Sequence, residues 1–400
     1  MFNDKMRELG SLPSIIRELS SEAELKKKEL GKDKVFDFTI GNPSINPPKE
    51  VKDALIDLIQ NEDSISLHSY TESIGLYETR LHIKEYLEKT YNASLDENLI
   101  YITQGASSGL AITLKALLNE GDEVISFVPY FPEYKIYTES ASGVFHGVMC
   151  DENFKLDFNL LRKEMNPKVK VVIINSPNNP TGVIYTEDEI IKLSQLLKEF
   201  EDKYNHPIYL LSDEPYRLLI YEDFKYPFIT NYYDDSIVTY SFSKSVSLPG
   251  ERIGYIVLSP NAKDKSEVFE ALDGAGRALG YICASSLFQK LLPRILGITS
   301  DLSLYKKNRD ALMKGLKKLG YEFAYPSGAF YLYMKSPIED AISFANTAKK
   351  FNIFVVPSDP FGMKGYVRIA YCVSYETIVN SMSSFKRLKE YYGDKNDWTR

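Results

Sequence analysis

The stretch Tyr240-Ser-Phe-Ser-Lys-Ser-Val-Ser-Leu-Pro-Gly-Glu-Arg-Ile-Gly-Tyr255 places a single lysine, Lys244, among small hydroxyl residues. Directly before it, residues 237–240 form the run Ile-Val-Thr-Tyr, which is typical of a buried strand. A lysine amine can form a Schiff base with a carbonyl compound, and Arg252 with the neighbouring hydroxyls could bind a phosphate. The stretch therefore favours pyridoxal phosphate, which carries an aldehyde and a phosphate on one ring. The alternative is that Lys244 caps a strand and Arg252 forms a surface ion pair.

The size and composition of the chain are those of a globular protein with a large core. Of 400 residues, 44% are hydrophobic and 26% charged, and this length favours two domains. The net charge of −7 and the pI of about 5.4 argue against nucleic acid or an anionic membrane as the main partner. The N-terminus lacks the apolar core of a secretory signal, and no apolar run approaches the roughly 20 residues that span a bilayer.

The cysteines and histidines suggest neither a disulfide framework nor a metal site. The cysteines are few and widely spaced, as expected for reduced core residues in a cytoplasmic protein: Cys150, Cys283 and Cys372. The histidines never fall at metal-ligand spacing: His68, His82, His146 and His206. We therefore expect no metal ion in the protein.

From residue 51 onward, helix-length segments alternate with short β-branched runs. We predict helices at 51–61, 76–90, 107–119, 132–141 and 186–203. We predict strands at 98–102, 123–127, 144–148, 169–174, 207–212, 237–240 and 253–258. This alternation indicates crossover connections and hence an α/β fold, with a mostly parallel sheet covered by helices on both faces. In such sheets ligands bind at the carboxyl ends of the strands.

Beyond residue 261 the alternation loosens into the pattern of a second, smaller α+β domain. We predict helices at 261–272, 283–296, 301–318, 337–350 and 375–391, and strands at 329–334, 352–355 and 366–371. The N-terminal part is predicted to be helical at 12–19 and 22–30, with a strand from Val35 that stops at Gly41. We expect a large domain over 46–295 and a small domain made of 1–45 and 296–400.

Two of the predicted strands end in turns that could contact a ring or a phosphate. After strand 98–102 the glycine-rich segment Thr103–Leu110 runs into a helix, whose free amides could bind phosphate. Many strand-to-helix turns contain two glycines, so this motif is weak by itself. After strand 123–127, Phe131 could stack on a flat ring, although an aromatic residue in a turn also serves packing.

Two further strand ends carry amides and a carboxylate. After strand 169–174, the segment Asn175–Gly182 is rich in turn formers and must be an irregular loop. Its asparagines can offer amides to an oxygen. Asp213 follows the apolar run at 208–211 and should lie at the floor of a cleft, where an unpaired carboxylate is costly. A protonated pyridine nitrogen would be a suitable partner for it.

These motifs resemble a known family in both order and spacing. The resemblance rests on Asn179-Pro-Thr-Gly182, Asp213-x-x-Tyr216, Ser241-x-Ser-Lys244 with Arg252, and Tyr366-Val-Arg-Ile-Ala370. The chain is similar, from about Gly41 to Arg368, to the fold type I pyridoxal-phosphate aminotransferases of class I/II, the aspartate aminotransferase superfamily. The resemblance implies ping-pong transfer of an amino group between a 2-amino acid and a 2-oxo acid, through an internal aldimine on Lys244.

The resemblance also implies a role for each matching residue. Lys244 would move the substrate's α-proton, Asp213 would keep the pyridine nitrogen protonated, and Tyr216 with Asn179 would bond the phenolic oxygen. Phe131 would stack on the ring where many relatives have tryptophan. The phosphate would be held by Gly105, Ala106, Ser107, Ser241, Ser243 and Arg252. Tyr70 would reach the phosphate of a neighbouring subunit, which implies a homodimer with active sites at the subunit interface.

For the substrate, the resemblance assigns the α-carboxylate to Arg368, assisted by Asn179 and the backbone of Gly41. Without the family, a charge at a strand exit is the favoured explanation of Arg368, and a plain turn explains Gly41 equally well. Arg277 lies near the distance after Lys244 at which dicarboxylate specialists place a second arginine, or it forms a structural ion pair. The sequence does not indicate which side chain the substrate carries. Glutamate with 2-oxoglutarate is a common substrate pair in the family.

Two other functions remain open from the sequence. A carbon–sulfur lyase that eliminates a β-substituent would share the fold and Lys244. A non-catalytic ligand-sensing domain of a DNA-binding regulator fits poorly, because the residues before the cofactor domain show no helix-turn-helix pattern and the net charge is negative.

Overall fold

The computed structural model describes residues 2–11 and 15–393. The strands are β1 (Phe36–Asp37), β2 (Ile100–Thr103), β3 (Glu123–Val128), β4 (Val144–Met149), β5 (Val169–Asn175), β6 (Tyr209–Asp213), β7 (Ser236–Ser241), β8 (Gly254–Leu258), β9 (Tyr331–Lys335), β10 (Ile353–Phe354), β11 (Val356–Pro357) and β12 (Tyr366–Ala370). The helices up to residue 204 are α1 (Asp4–Ser11), α2 (Ile15–Leu30), α3 (Lys49–Asn61), α4 (Ser64–His68), α5 (Tyr77–Tyr91), α6 (Ala106–Leu117), α7 (Glu133–Ser140), α8 (Phe158–Glu164) and α9 (Glu187–Tyr204). The later helices are α10 (Phe242–Ser245), α11 (Lys265–Leu279), α12 (Ser286–Ile295), α13 (Leu302–Lys318), α14 (Ala341–Lys349) and α15 (Tyr375–Tyr392).

A seven-stranded sheet forms the centre of the molecule, in the order β2-β8-β7-β6-β5-β3-β4. All neighbours pair in parallel except β8, which runs antiparallel to both β7 and β2. The sheet is therefore mostly parallel, as predicted. Because β8 runs antiparallel to β7, it can follow the Lys244 stretch directly and pair beside β7. Both ends of that stretch are therefore fixed in neighbouring strands.

Side chains of the central strands are buried on both faces of the sheet. In β5, Val172 and Ile174 pack towards α3, α5, α9 and α12, whereas Val171 and Ile173 pack towards α6, α7 and α11. All four side chains are at most 2% exposed. Because both faces are covered by helices, β5 reads as a continuous apolar run and not as an alternating one, which is why the sequence predicted it.

The remaining strands form two small sheets beside the first. Strands β11, β12 and β9 make an antiparallel sheet, and β1 pairs in parallel with β10. Phe36 and Phe38, near the start of the chain, share a core with residues of α13, α14 and α15. The rings of Phe38 and Phe385 lie 6.1 Å apart. These contacts support the proposed domain division at 46–295 against 1–45 with 296–400, which stays a prediction.

Several elements differ from the prediction, and capping residues explain three of the differences. The helix predicted at 337–350 begins only at Ala341, because the Asp340 side chain accepts a hydrogen bond from the Ser343 amide. The short helices α4 and α8 were not predicted, and they begin after Asp63 and Asp157, which cap them in the same way. The strand predicted at 352–355 is divided between β10 and β11.

Other differences lie near the N-terminus and after β8. Residues 15–30 form one helix, α2, and α1 precedes it, whereas the sequence predicted helices at 12–19 and 22–30. Of the first prediction, residues 12–14 lie outside the described part of the chain. The helix predicted at 261–272 occupies Lys265–Leu279. Within the described residues, no helix combines the length and the apolar character needed to cross a bilayer.

Candidate active site

The carboxyl ends of β2, β3, β5, β6 and β7 border a cavity of about 360 Å³. This cavity brings together residues that the sequence singled out in separate motifs. They are Gly41, Ala106, Ser107, Phe131, Asn179, Asp213, Tyr216, Ser241, Ser243, Lys244, Arg252 and Arg368. The sheet topology thus unites side chains that are up to several hundred positions apart in the sequence.

Lys244 lies on the short helix α10, directly after β7. The Ser241 hydroxyl caps this helix by accepting a hydrogen bond from the Ser243 amide. The Lys244 Nζ donates to the carbonyl oxygen of Gly41 at 2.7 Å. Burial lowers the pKa of Lys244 to about 8, and the positive charges of Arg368 and Arg252 act in the same direction. The amine is therefore held in place and is easier to deprotonate than an exposed lysine.

Asp213 is the last residue of β6 and is only 5% exposed. Burial raises the pKa of its carboxyl to about 7, and the neighbouring charge of Glu214 acts in the same direction. The Tyr134 hydroxyl donates to Asp213 Oδ2 at 2.7 Å. A buried carboxylate with this single strong donor would be stabilised by a positively charged partner inside the cavity.

The loop after β5 is tied to the end of β6 by Asn175. Its side chain donates to the Asp213 carbonyl at 2.7 Å and accepts from the Asn179 amide at 2.7 Å. This leaves the Asn179 side chain facing the cavity, where it accepts from Arg368. The turn formers of this loop therefore serve to place Asn179 between Asp213 and Arg368.

Tyr216 follows β6 and is paired with a second tyrosine. Its hydroxyl lies 3.0 Å from the hydroxyl of Tyr331, and both side chains are buried. Burial raises the pKa of Tyr216, so the phenol stays protonated and can donate a hydrogen bond. The two hydroxyls are therefore joined by one hydrogen bond at the wall of the cavity.

Arg368 extends from β12 into the cavity and is 2% exposed. Its Nη1 donates to Asn179 Oδ1 at 3.1 Å, and its Nη2 donates to the Thr39 carbonyl at 2.6 Å. The guanidinium lies 4.6 Å from the centre of the Tyr331 ring. Its Nε has no hydrogen-bond partner among the described residues. A buried guanidinium with unused donors, and without a carboxylate partner in the cavity wall, suits a carboxylate ligand.

Another part of the cavity lining, at the start of α6, is suited to bind an anion. The N-terminus of α6 opens there, with Gly105 before it at φ +87°. A Cβ at Gly105 would lie 2.9 Å from Arg252 Nη2, so glycine lets the backbone approach the guanidinium. Arg252 Nη1 is 3.4 Å from the Ser243 hydroxyl, which in turn lies 2.7 Å from that of Ser241.

Three predicted residues do not line this cavity. Gly105 is one of them, although it immediately precedes Ala106, which does. Tyr70 is 97% exposed, in the loop between α4 and α5. Arg277 is exposed near the end of α11. The proposed role of Tyr70 is in a neighbouring subunit, so its exposure within one chain agrees with that role. The role of Arg277 stays a prediction.

The sequence did not indicate four residues that the structure places at the cavity or against its key groups. Tyr134 bonds Asp213, Tyr331 bonds Tyr216, and Ile16 with Arg17 of α2 lines the opening. Tyr331 stands in a strand and Tyr134 in a helix, where aromatic residues usually indicate core packing. Nothing in the local sequence distinguishes them, because the partner of Tyr134 lies 79 positions away and that of Tyr331 lies 115 positions away.

Comparisons with known proteins agree with this geometry. The family model for aminotransferase class I and II matches residues 33–384. A probable aspartate aminotransferase of Methanocaldococcus jannaschii is 29% identical over 386 residues, which cover 94% of this chain and 97% of that protein. The crystal structure of an amino transferase from Eubacterium rectale has a TM-score of 0.97 at 44% identity and covers 99% of this chain and 100% of its own. An aspartate aminotransferase from Thermus thermophilus with maleate has a TM-score of 0.83 at 26% identity, with 96% and 98% covered.

Proposed function

Because the chain belongs to the class I and II aminotransferase family, it is an aminotransferase acting on an amino acid and a 2-oxo acid, and we propose that it does so with pyridoxal phosphate bound beside Lys244. The family depends on this cofactor. The relatives described above are named as amino transferases, and these names give no support to the carbon–sulfur lyase that the sequence left open.

The observation that carries the proposal is a lysine and a carboxyl group that line the same buried cavity and both have shifted pKa values. Lys244 has a pKa lowered to about 8, and Asp213 has a pKa raised to about 7. The residues present fit each part of the cofactor. Asp213 would face the ring nitrogen, Tyr216 and Asn179 the phenolic oxygen, and Phe131 the ring. The phosphate would bind at the start of α6, at Gly105, Ala106 and Ser107, with Ser241, Ser243 and Arg252.

When bound, pyridoxal phosphate supplies an electron-accepting ring and a carrier for the amino group. The chain supplies the proton transfers and the orientation. The Lys244 Nζ, with its lowered pKa, accepts the proton from the substrate Cα. When the reaction runs in reverse, the same nitrogen donates a proton to Cα. Gly41 fixes the position of this nitrogen through the 2.7 Å hydrogen bond to its carbonyl.

We propose that Arg368 binds the α-carboxylate of the amino acid. It offers planar, paired donors, and its Nε is still without a partner among the described residues. Asn179 and Thr39 hold two of its other nitrogens at 3.1 and 2.6 Å, so the guanidinium is oriented before the substrate arrives. Gly41 lines the same cavity, and its backbone N–H would be the group that contributes to the same carboxylate.

We also propose a homodimer in which Tyr70 reaches the phosphate site of the partner. Tyr70 is 97% exposed, and Ile65, Tyr281 and Ile282 nearby are exposed as well. The loop is attached to its own chain, since the Gln289 side chain donates to the Thr71 hydroxyl at 3.0 Å. An exposed aromatic residue on a braced loop is suited to contact a second chain. A cytoplasmic location, expected from the three unpaired cysteines, stays a prediction.

An absorbance experiment tests the proposal. Purified protein with pyridoxal phosphate should show a visible band that disappears on addition of an amino acid and returns with a 2-oxo acid. Lys244→Ala should lose the response, whereas Lys52→Ala on the exposed side of α3 should keep it. A full response in Lys244→Ala would contradict the assignment of Lys244.

A further inference from the structure

Helix α2 brings a cation to the opening of the active-site cavity. Ile16 and Arg17 line the same cavity as Lys244 and Arg368. The helix is held there by Leu19, which is 6% exposed and packs against Val356 and Phe361. Phe361 in turn lies 5.3 Å from the Arg368 guanidinium. The opening formed by α2 is therefore next to the arginine proposed to bind the α-carboxylate.

Further contacts fix the later part of α2. Ala23 packs against Val35 and Phe354. Lys26 donates to the Lys349 carbonyl at 2.6 Å, and Glu22 forms an ion pair of 2.6 Å with the Lys349 side chain. The helix is thus attached to α14 along one side while its first turn faces the cavity. This attachment gives Arg17 a defined position.

Arg17 has no role in the proposed chemistry. The other cations of the cavity are assigned: Lys244 to proton transfer, Arg252 to the phosphate and Arg368 to the α-carboxylate. Asp213 is assigned to the ring nitrogen. The Arg17 side chain forms no hydrogen bond or ion pair among the described residues. Its guanidinium is therefore available to a ligand.

We propose that Arg17 binds the distal carboxylate of a dicarboxylic amino acid or 2-oxo acid whose α-carboxylate is held by Arg368. This inference rests on the proposed function and specifies its substrate class. A carboxylate and a guanidinium form paired hydrogen bonds, so two arginines at one cavity select a ligand with a carboxylate at each end. Ile16, beside Arg17, offers an apolar surface to the methylene groups between them.

This assignment differs from the one suggested by the sequence, which considered Arg277. Both arginine side chains are exposed, but only Arg17 lines the cavity, whereas Arg277 stands near the end of α11 and does not line the cavity of its own chain. The alternative role for Arg17 is structural, as a counter-charge for Glu133. Burial raises the pKa of the Glu133 carboxyl, and the positive charge of Arg17 acts against this effect.

Binding of unreactive acids to the cofactor-loaded enzyme separates these roles. Glutarate has two carboxylates, and pentanoate has the same chain length with one. In calorimetric titrations, Arg17→Gln should weaken glutarate binding by about 10- to 100-fold, the loss expected for a charge-assisted hydrogen bond, and leave pentanoate unchanged. Arg17→Lys should restore part of the glutarate affinity. Arg277→Gln tests the alternative arginine, and Lys28→Gln, at an exposed position in the last turn of the same helix, is the matched control.

Three results would overturn the inference. An equal loss for both acids in Arg17→Gln would indicate a structural role beside Glu133. A loss of glutarate binding in Arg277→Gln but not in Arg17→Gln would assign the distal carboxylate to Arg277. Equal affinity of the unaltered enzyme for both acids would exclude a dicarboxylate subsite. In each case, continued transamination of apolar amino acids would leave the proposed function intact.

Discussion

At the scale of single residues, Tyr331 connects three groups of the proposed site. Its hydroxyl lies 3.0 Å from that of Tyr216, and its ring lies 4.6 Å from the Arg368 guanidinium. It also packs so closely on Gly41 that a Cβ there would lie 1.9 Å from the Tyr331 hydroxyl. The hydroxyl and the ring of Tyr331 therefore serve different partners and can be separated by substitution.

We predict different kinetic effects for two substitutions of Tyr331. Tyr331→Phe keeps the ring under Arg368 and loses the bond to Tyr216, so kcat should fall about two- to tenfold with KM little changed. Tyr331→Leu also loses the cation–π contact, so KM should rise several-fold in addition. Steady-state kinetics with one amino donor measures both effects. Identical kcat and KM values in the two variants would contradict the division between ring and hydroxyl.

The sequence predicted the residues of the site that stand at strand ends, and it missed those that arrive from elsewhere. Asp213, Lys244 and the Asn179 loop each follow an apolar run, so strand periodicity alone places them at one edge of the sheet. Tyr331 and Arg17 depend on how β9 and α2 pack against that edge. No local pattern encodes such packing, because an aromatic residue in a strand or an arginine on a helix has many ordinary uses.

At the scale of elements, α9 shows why some helices were predictable from their ends. Thr186 and Glu189 form a capping box, in which the Glu189 carboxylate accepts from the Thr186 amide at 2.8 Å. The prediction of 186–203 lies within one residue of the observed Glu187–Tyr204. Helices α4 and α8, with five and seven residues, are too short to show a helical period and were therefore missed.

The cap of α9 should contribute measurably to stability. Thr186→Ala removes the hydroxyl that accepts from the Glu189 amide, and we expect the free energy of unfolding to fall by about 1 kcal/mol. Thr186→Ser keeps an acceptor at the same position and is the control. Urea unfolding followed by circular dichroism measures the difference. Thr186 does not line the cavity, so KM should be unchanged in Thr186→Ala. A changed KM would contradict a purely structural role for the cap.

At the scale of the whole molecule, the proposed dimer would complete each active site with a residue of the other chain. In such a dimer, Tyr70 and Lys244 of one chain would serve two different active sites. The arrangement can therefore be tested with the subunits still associated. A mixed dimer of Lys244→Ala and Tyr70→Ala chains would have one site with both lesions and one intact site.

We therefore predict complementation between these two variants. Chains unfolded together and refolded as a mixture should recover up to about a quarter of the unaltered activity, since half of randomly formed dimers are mixed and each has one intact site. The two variants refolded separately are the controls, and their summed activity is the reference. Activity that never exceeds this sum would indicate that Tyr70 does not act across an interface.

The close approach of Gly41 to Tyr331 has a consequence for the sequences that this fold can accept. Position 41 has no positive φ, so its restriction is purely steric: any side chain would meet the hydroxyl of a buried, rigid tyrosine. Gly274, in α11, has no atom within 4 Å of an added Cβ. In a saturation library selected for growth that depends on the enzyme's activity, we expect nearly every variant at position 41 to be depleted, and those at position 274 to persist. Over evolutionary time, drift would replace Gly274, whereas selection would preserve Gly41.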